Sequence, residues 1–149
     1  MARHAFTVTS PLSVEGAFEL LVDLERVPEW DDGVQASTRV PHHLVDDPLV
    51  GRRFDVTVTG FDRSPTTVVY EITEATPPHR FVMVGENDEF RAVDTLELTP
   101  TAHEGCELRY DGTLELLADD PPLTAVQLDS MFPKLAAVAE AGLRRFLAG

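Results

Sequence analysis

Three side chains able to move a proton stand at positions whose neighbours are apolar: Tyr70, Asp94 and Tyr110. Asp94 shares an alternating face with Leu96 and Leu98. Tyr70 alternates with Val68 and Ile72, and Tyr110 with Leu108 and Leu114. A carboxylate turned toward an apolar interior is desolvated, which raises its pKa and suits it to general acid or base work. A tyrosine at the same depth can transfer a proton, or can simply bury its ring with the hydroxyl bonded. Asp94, Tyr70 and Tyr110 are therefore the catalytic candidates, each with a structural role as the alternative.

Other chemistries find no support. His4, His42, His43, His79 and His103 form no helical i, i+4 pair and no zinc-ligand spacing, and residues 86–89 lack the calcium-loop pattern. There is no Gly-x-Ser-x-Gly, no phosphate-binding glycine loop, and no base beside Cys106 in sequence. Neither a metal nor a cofactor is expected. As the single cysteine, Cys106 excludes an intrachain disulfide and fits a reducing compartment. The net charge of −14 repels phosphate backbones and anionic membranes, so nucleic acid is not an expected partner. The acids fall in short pairs, Asp31-Asp32, Asp46-Asp47 and Asp119-Asp120, which read as solvated surface. No run approaches the roughly 18 apolar residues that span a bilayer, and the first residues alternate rather than forming a signal peptide. Those features predict a cytoplasmic protein without integral membrane association, monomeric or homodimeric.

The elements that must position the candidates follow from periodicity. A chain of 149 residues forms one domain, 1–149, with one core. Residues 4–9 read as a strand. Ser13 caps a helix carrying Val14, Ala17, Phe18 and Leu21 on one face, and Glu25 to Trp30 reads as a short helical turn around Pro28. From residue 34 to about 117 the period is two, giving strands near 34–40, 53–61, 66–73, 80–86, 90–99 and 106–116. His42 to Leu49 reads as a loop. Asp120-Pro121 resembles an N-cap and first helical residue, opening a helix that runs to about Leu147. Its seam is Leu128, Phe132, Leu135, Ala139, Gly142 and Phe146, with a kink expected at Pro133. The order predicts an α+β fold in which a curved antiparallel sheet of about seven strands grips the last helix, with two short helices after the first strand.

The local sequence resembles the START-like helix-grip superfamily, in particular its polyketide cyclase/dehydrase and lipid-transport group. The resemblance rests on Asp23-Leu24-Glu25-Arg26-Val27-Pro28-Glu29-Trp30 and on Val50-Gly51-Arg52-Arg53-Phe54. It continues in the segment from Tyr70 to Phe81, and in Leu96-Glu97-Leu98-Thr99-Pro100 running into Gly105-Cys106-Glu107-Leu108. It implies a cavity between sheet and helix that takes lipids, polyketides, hormones or other apolar molecules.

Strand phase joined to that resemblance predicts a cavity wall of Phe54, Val56, Val58, Tyr70, Ile72, Phe81, Met83, Leu96, Tyr110, Leu114, Met131 and Leu135. Trp30 either plugs one end of the core or touches the ligand, and Arg52 or Arg53 either guards the mouth or forms a surface ion pair. The expected function is binding of a small hydrophobic or amphipathic ligand. One alternative is a cyclase or dehydratase working through Asp94 or a tyrosine. Another is an interaction module using the acidic surface.

Overall fold

The computed structural model describes residues 1–41 and 46–149. Seven antiparallel strands form one sheet: β1 (Ala2–Ser10), β2 (Val34–Arg39), β3 (Arg53–Thr59), β4 (Pro65–Thr76), β5 (Arg80–Glu86), β6 (Phe90–Pro100) and β7 (Cys106–Leu116). Their order across the sheet is β1-β7-β6-β5-β4-β3-β2. Five consecutive strands, β3 to β7, pair as hairpins. The first strand closes against the last, with Phe6 opposite Tyr110 and Val8 opposite Leu108. The two ends of the β1–β2 connection therefore lie at opposite edges, and the intervening chain must cross the sheet.

That crossing is made by α1 (Val14–Val22) and a 3-10 helix (Leu24–Glu29). Ser13 caps α1, its side-chain oxygen accepting from the Gly16 N–H at 3.1 Å. Val14, Ala17, Phe18, Leu21 and Val22 are its buried face. The last helix, α2 (Ala125–Phe146), starts four residues later than the Asp120-Pro121 reading predicts. Thr124 and Gln127 form a reciprocal capping box that satisfies two orphan donors, while Pro122 biases Pro121 away from helical ψ. Pro133 lies inside the helix and is exposed. The predicted loop from His42 to Leu49 includes 42–45, which lie outside the described residues, as do both of those histidines.

The core is divided. Phe54, Val56, Ile72, Phe81, Met83 and Leu96 pack under α1 and the 3-10 helix, with Phe18 edge-on to Phe81 at 5.8 Å. A smaller cluster of Val68, Phe90, Ala92, Leu114 and Leu128 lies toward the other end of the strands. On α2, Leu128 is buried at one end and Ala139, Gly142 and Leu143 at the other. No residue between them is buried, and Leu135, predicted as seam, is 46% exposed. The middle of α2 therefore stands off the sheet.

What fixes its C-terminal end is a backbone contact. A Cβ on Gly142 would fall 1.6 Å from the Trp30 carbonyl oxygen, so glycine alone lets α2 seat on the end of the 3-10 helix. The buried Ser10 hydroxyl donates to the Leu147 carbonyl at 2.5 Å and ties the helix end to β1. Gly142→Ala should destabilise the protein by about 2 kcal/mol in urea unfolding, although alanine gains up to about 1 kcal/mol in an unhindered helix. A neutral or stabilising result would mean the helix is not seated there.

Candidate functional site

Where α2 stands away from the sheet there is an open cavity of about 490 Å³. Its volume follows from small residues facing small residues. Ala92 and Gly112 lie on adjacent strands of the floor, opposite Ala136 and Ala139 on α2. Phe6, Val58, Phe61, Phe90, Leu114 and Phe132 supply apolar walls, and Leu135 and Val138 stand at the exposed helix side. A space of this size, mostly apolar with a few convergent polar groups, is that of a small-molecule site.

The three candidate acid–base residues meet in it. Asp94, Tyr70 and Tyr110 all line the cavity, joined by Asp31. Two of these side chains extend over a cross-strand glycine. Asp94 pairs with Gly112, where a Cβ would come within 2.9 Å of Asp94 Oδ1. Tyr70 pairs with Gly85, where a Cβ would come within 2.4 Å of the ring. Tyr110 is held between a stacked Phe6 at 5.1 Å and an edge-on Trp30 at 6.2 Å. Packing therefore aims these groups, joined by hydrogen bonding between the Tyr110 hydroxyl and the Asp94 carboxyl.

Their environment shifts their titration. Desolvation raises the Asp94 carboxyl from 3.8 to about 7, partly offset by hydrogen bonding from the Tyr110 hydroxyl, with the Asp31 and Asp111 charges adding to the rise. Asp31 is raised too, by burial first, although its Oδ1 accepts from the Gly33 N–H at 2.9 Å. The Tyr70 and Tyr110 hydroxyls are pushed up by burial and then by the Asp94 charge, so both remain protonated donors. The Asp31-Asp32 pair, read in the sequence as solvated surface, is split by this turn: both line the cavity, and Asp31 turns its carboxyl in to cap Gly33 while Asp32 stays exposed. Periodicity does not find Asp31, because an Asx turn before β2 has no periodic signature; the Asp-x-Gly spacing is the available signal.

The predicted wall is placed unevenly. Val58, Tyr70, Tyr110, Leu114 and Leu135 line the cavity. Phe54, Val56, Ile72, Phe81, Met83 and Leu96 face the same side of the sheet but lie in the packed core, because α1 and the 3-10 helix cover that half. Trp30 is 2% exposed and backs Tyr110 instead of reaching the space, and Met131 is half-buried on α2 away from it. Arg53 pairs with Glu71 at 2.7 Å and Arg52 with Asp47 at 3.1 Å, both outside the cavity. Arg52 borders a separate charged concavity of about 370 Å³ with Glu19, Asp23, Glu25 and Arg39. Among the described residues no group of three His, Cys, Asp or Glu side chains is placed to hold a metal ion. No helix of the described residues is long and apolar enough to cross a membrane.

The Asp94 shift has a consequence for stability. Its folded-state pKa exceeds the ordinary value, so the native protein holds a proton that the unfolded chain releases between about pH 4 and pH 7. Stability must fall as pH rises through that window and level off above it. In urea unfolding, Asp94→Asn should lie close to the parent near pH 4 and exceed it by about 4 kcal/mol at pH 8. Parallel pH profiles for the two proteins would mean that the carboxylate is not desolvated.

Comparison with known proteins agrees with this architecture. No curated protein matches the chain. Among solved structures, a START superfamily protein from Mycobacterium smegmatis superposes with a TM-score of 0.78 at 13% identity, covering 99% of this chain and 97% of that one. A protein from Thermus thermophilus gives 0.70 at 19% identity, with 98% and 92% covered. The di-domain ARO/CYC StfQ of the steffimycin biosynthetic pathway gives 0.71 at 18% identity; 96% of this chain covers 48% of that one, about half its length. These likenesses establish a shared helix-grip fold. The family model described as polyketide cyclase / dehydrase and lipid transport matches residues 1–148, and the chain belongs to that family.

Proposed function

We propose that this protein binds a small hydrophobic or amphipathic molecule in the cavity between the sheet and α2. The observation that carries the reading is the unfilled space itself: about 490 Å³ lined by aromatic and aliphatic side chains, beside a half-core whose side chains are buried against one another. Apolar burial would supply the affinity, at about 0.8 kcal/mol for each methylene taken from water. The family description, which includes lipid transport, supports the same reading.

One observation favours a second reading, proton-transfer catalysis in the same cavity. Asp94, Tyr70 and Tyr110 converge there, and Asp94 has a pKa near neutrality. A carboxylate so tuned can remove a proton alpha to a ketone carbonyl, while a protonated tyrosine donates to the developing enolate oxygen. The cavity walls would hold a flexible chain in one fold. The likeness to StfQ, an ARO/CYC, is in keeping with this chemistry.

Native mass spectrometry of freshly purified protein, followed by solvent extraction, tests the binding reading; a stoichiometric adduct released as one compound is expected. The neutral dye N-phenyl-1-naphthylamine supplies a second readout. Its fluorescence should rise on binding, and Ala136→Trp, which fills the space from the helix side, should weaken it by about tenfold or more. A bare-chain mass together with no dye uptake would overturn the proposal. For the catalytic reading, Asp94→Asn should abolish turnover of a poly-β-ketone substrate; undiminished turnover would remove Asp94 as the base.

A further inference from the structure

The charges around the cavity are not arranged like those on the rest of the surface. On the surface several arginines lie beside acids: Arg3 with Asp111, Arg26 with Glu29, Arg53 with Glu71 and Arg144 with Glu140. Inside the cavity, Asp31, Asp32 and Asp94 contribute three carboxylates, and among the described residues no arginine or lysine lines it. Of those lining side chains His4 alone is able to carry a positive charge. Among the described residues neither Asp31 nor Asp94 forms an ion pair, and each is destabilised by another carboxylate, Asp94 by Asp31 and Asp31 by Asp32. A desolvated carboxylate without a cation is costly, and the missing partner must come from outside the chain or the charge must be given up.

Resting on the binding reading above, we infer that the cavity selects amphiphiles whose polar end is a hydrogen-bond donor, an ammonium above all and a hydroxyl next, and rejects those ending in a carboxylate or phosphate. The hydrocarbon part lies against Phe61, Phe90, Leu114 and Phe132, and the cationic head reaches Asp94 on the floor and Asp31 in the turn before β2. An ammonium there makes charge-assisted hydrogen bonds and ends the repulsion between the two acids. An anionic head meets like charges on the half-buried Asp94 and Asp31, a repulsion that disfavours it. The overall net charge of −14 adds long-range attraction for cations and repulsion for anions.

The experiment is displacement of N-phenyl-1-naphthylamine at pH 8 by decylamine, decanol and decanoate, which share a chain and differ in the head. Decylamine should displace the dye at a concentration about tenfold or more below that of decanoate, with decanol between them. Asp94→Asn and Asp31→Asn should each shrink the amine-to-carboxylate ratio several-fold. The Asp31→Asn side chain retains an oxygen to cap Gly33, which keeps the second variant informative if the first folds poorly. Decanoate binding as tightly as decylamine, or a ratio unmoved by either substitution, overturns the selectivity while leaving the binding site in place. Failure of the dye and all three compounds to bind overturns the binding reading, and the selectivity with it.

Discussion

The architecture depends on one close approach, the seating of Gly142 against the Trp30 carbonyl. The β1–β2 connection has to cross the sheet because β1 and β2 lie at opposite edges, and it fills half of the concave face as it does so. α2 is then pinned on the end of that connection through Gly142, with Ser10 holding its last turn. With its C-terminal end fixed there and Leu128 touching down at the other, its middle cannot also lie on the sheet. The cavity is the space those two anchors leave.

The same arrangement explains the chemistry of the floor. The packed half supplies Trp30, which braces Tyr110 from below while Phe6 stacks on its face. The open half supplies Gly85 and Gly112, over which Tyr70 and Asp94 extend. Aromatic packing thus sets the direction of the Tyr110 hydroxyl, and the glycines opposite Tyr70 and Asp94 leave room for those two side chains to extend. The chain sacrifices stability at this floor, where a raised carboxylate and a second acid face a space not filled by its own side chains. Such local destabilisation is typical of sites that act on a ligand.

Strand identity and inward phase are legible from period-two alternation, since a residue's face on a strand is fixed by parity. The convergence of Tyr70, Asp94 and Tyr110 follows from that parity together with register. Their depth along the sheet does not, and neither does the coverage by α1. For that reason Phe54, Ile72, Phe81 and Leu96 have the inward phase of cavity lining yet lie in solid core. The start of α2 lies beyond the Asp120-Pro121 signal because the capping box of Thr124 and Gln127 satisfies donors that a lone N-cap leaves open. The small residues Ala92, Gly112, Ala136 and Ala139 hold the signal for the cavity's position. It emerges when they are set against one another in space, which periodicity alone does not do.

Asp94 lies half-buried in the cavity with no cation beside it among the described residues, and burial raises its pKa; the stability profile, the acid–base chemistry and the head-group selectivity all follow from that state. Carboxyl carbon NMR of Asp94, followed through a pH titration of the free protein, reads it without an intermediary. A midpoint of about 7, reached with the fold intact, is expected. A midpoint near the ordinary 3.8 would contradict it, because the carboxylate would then be as well solvated or paired as any on the surface.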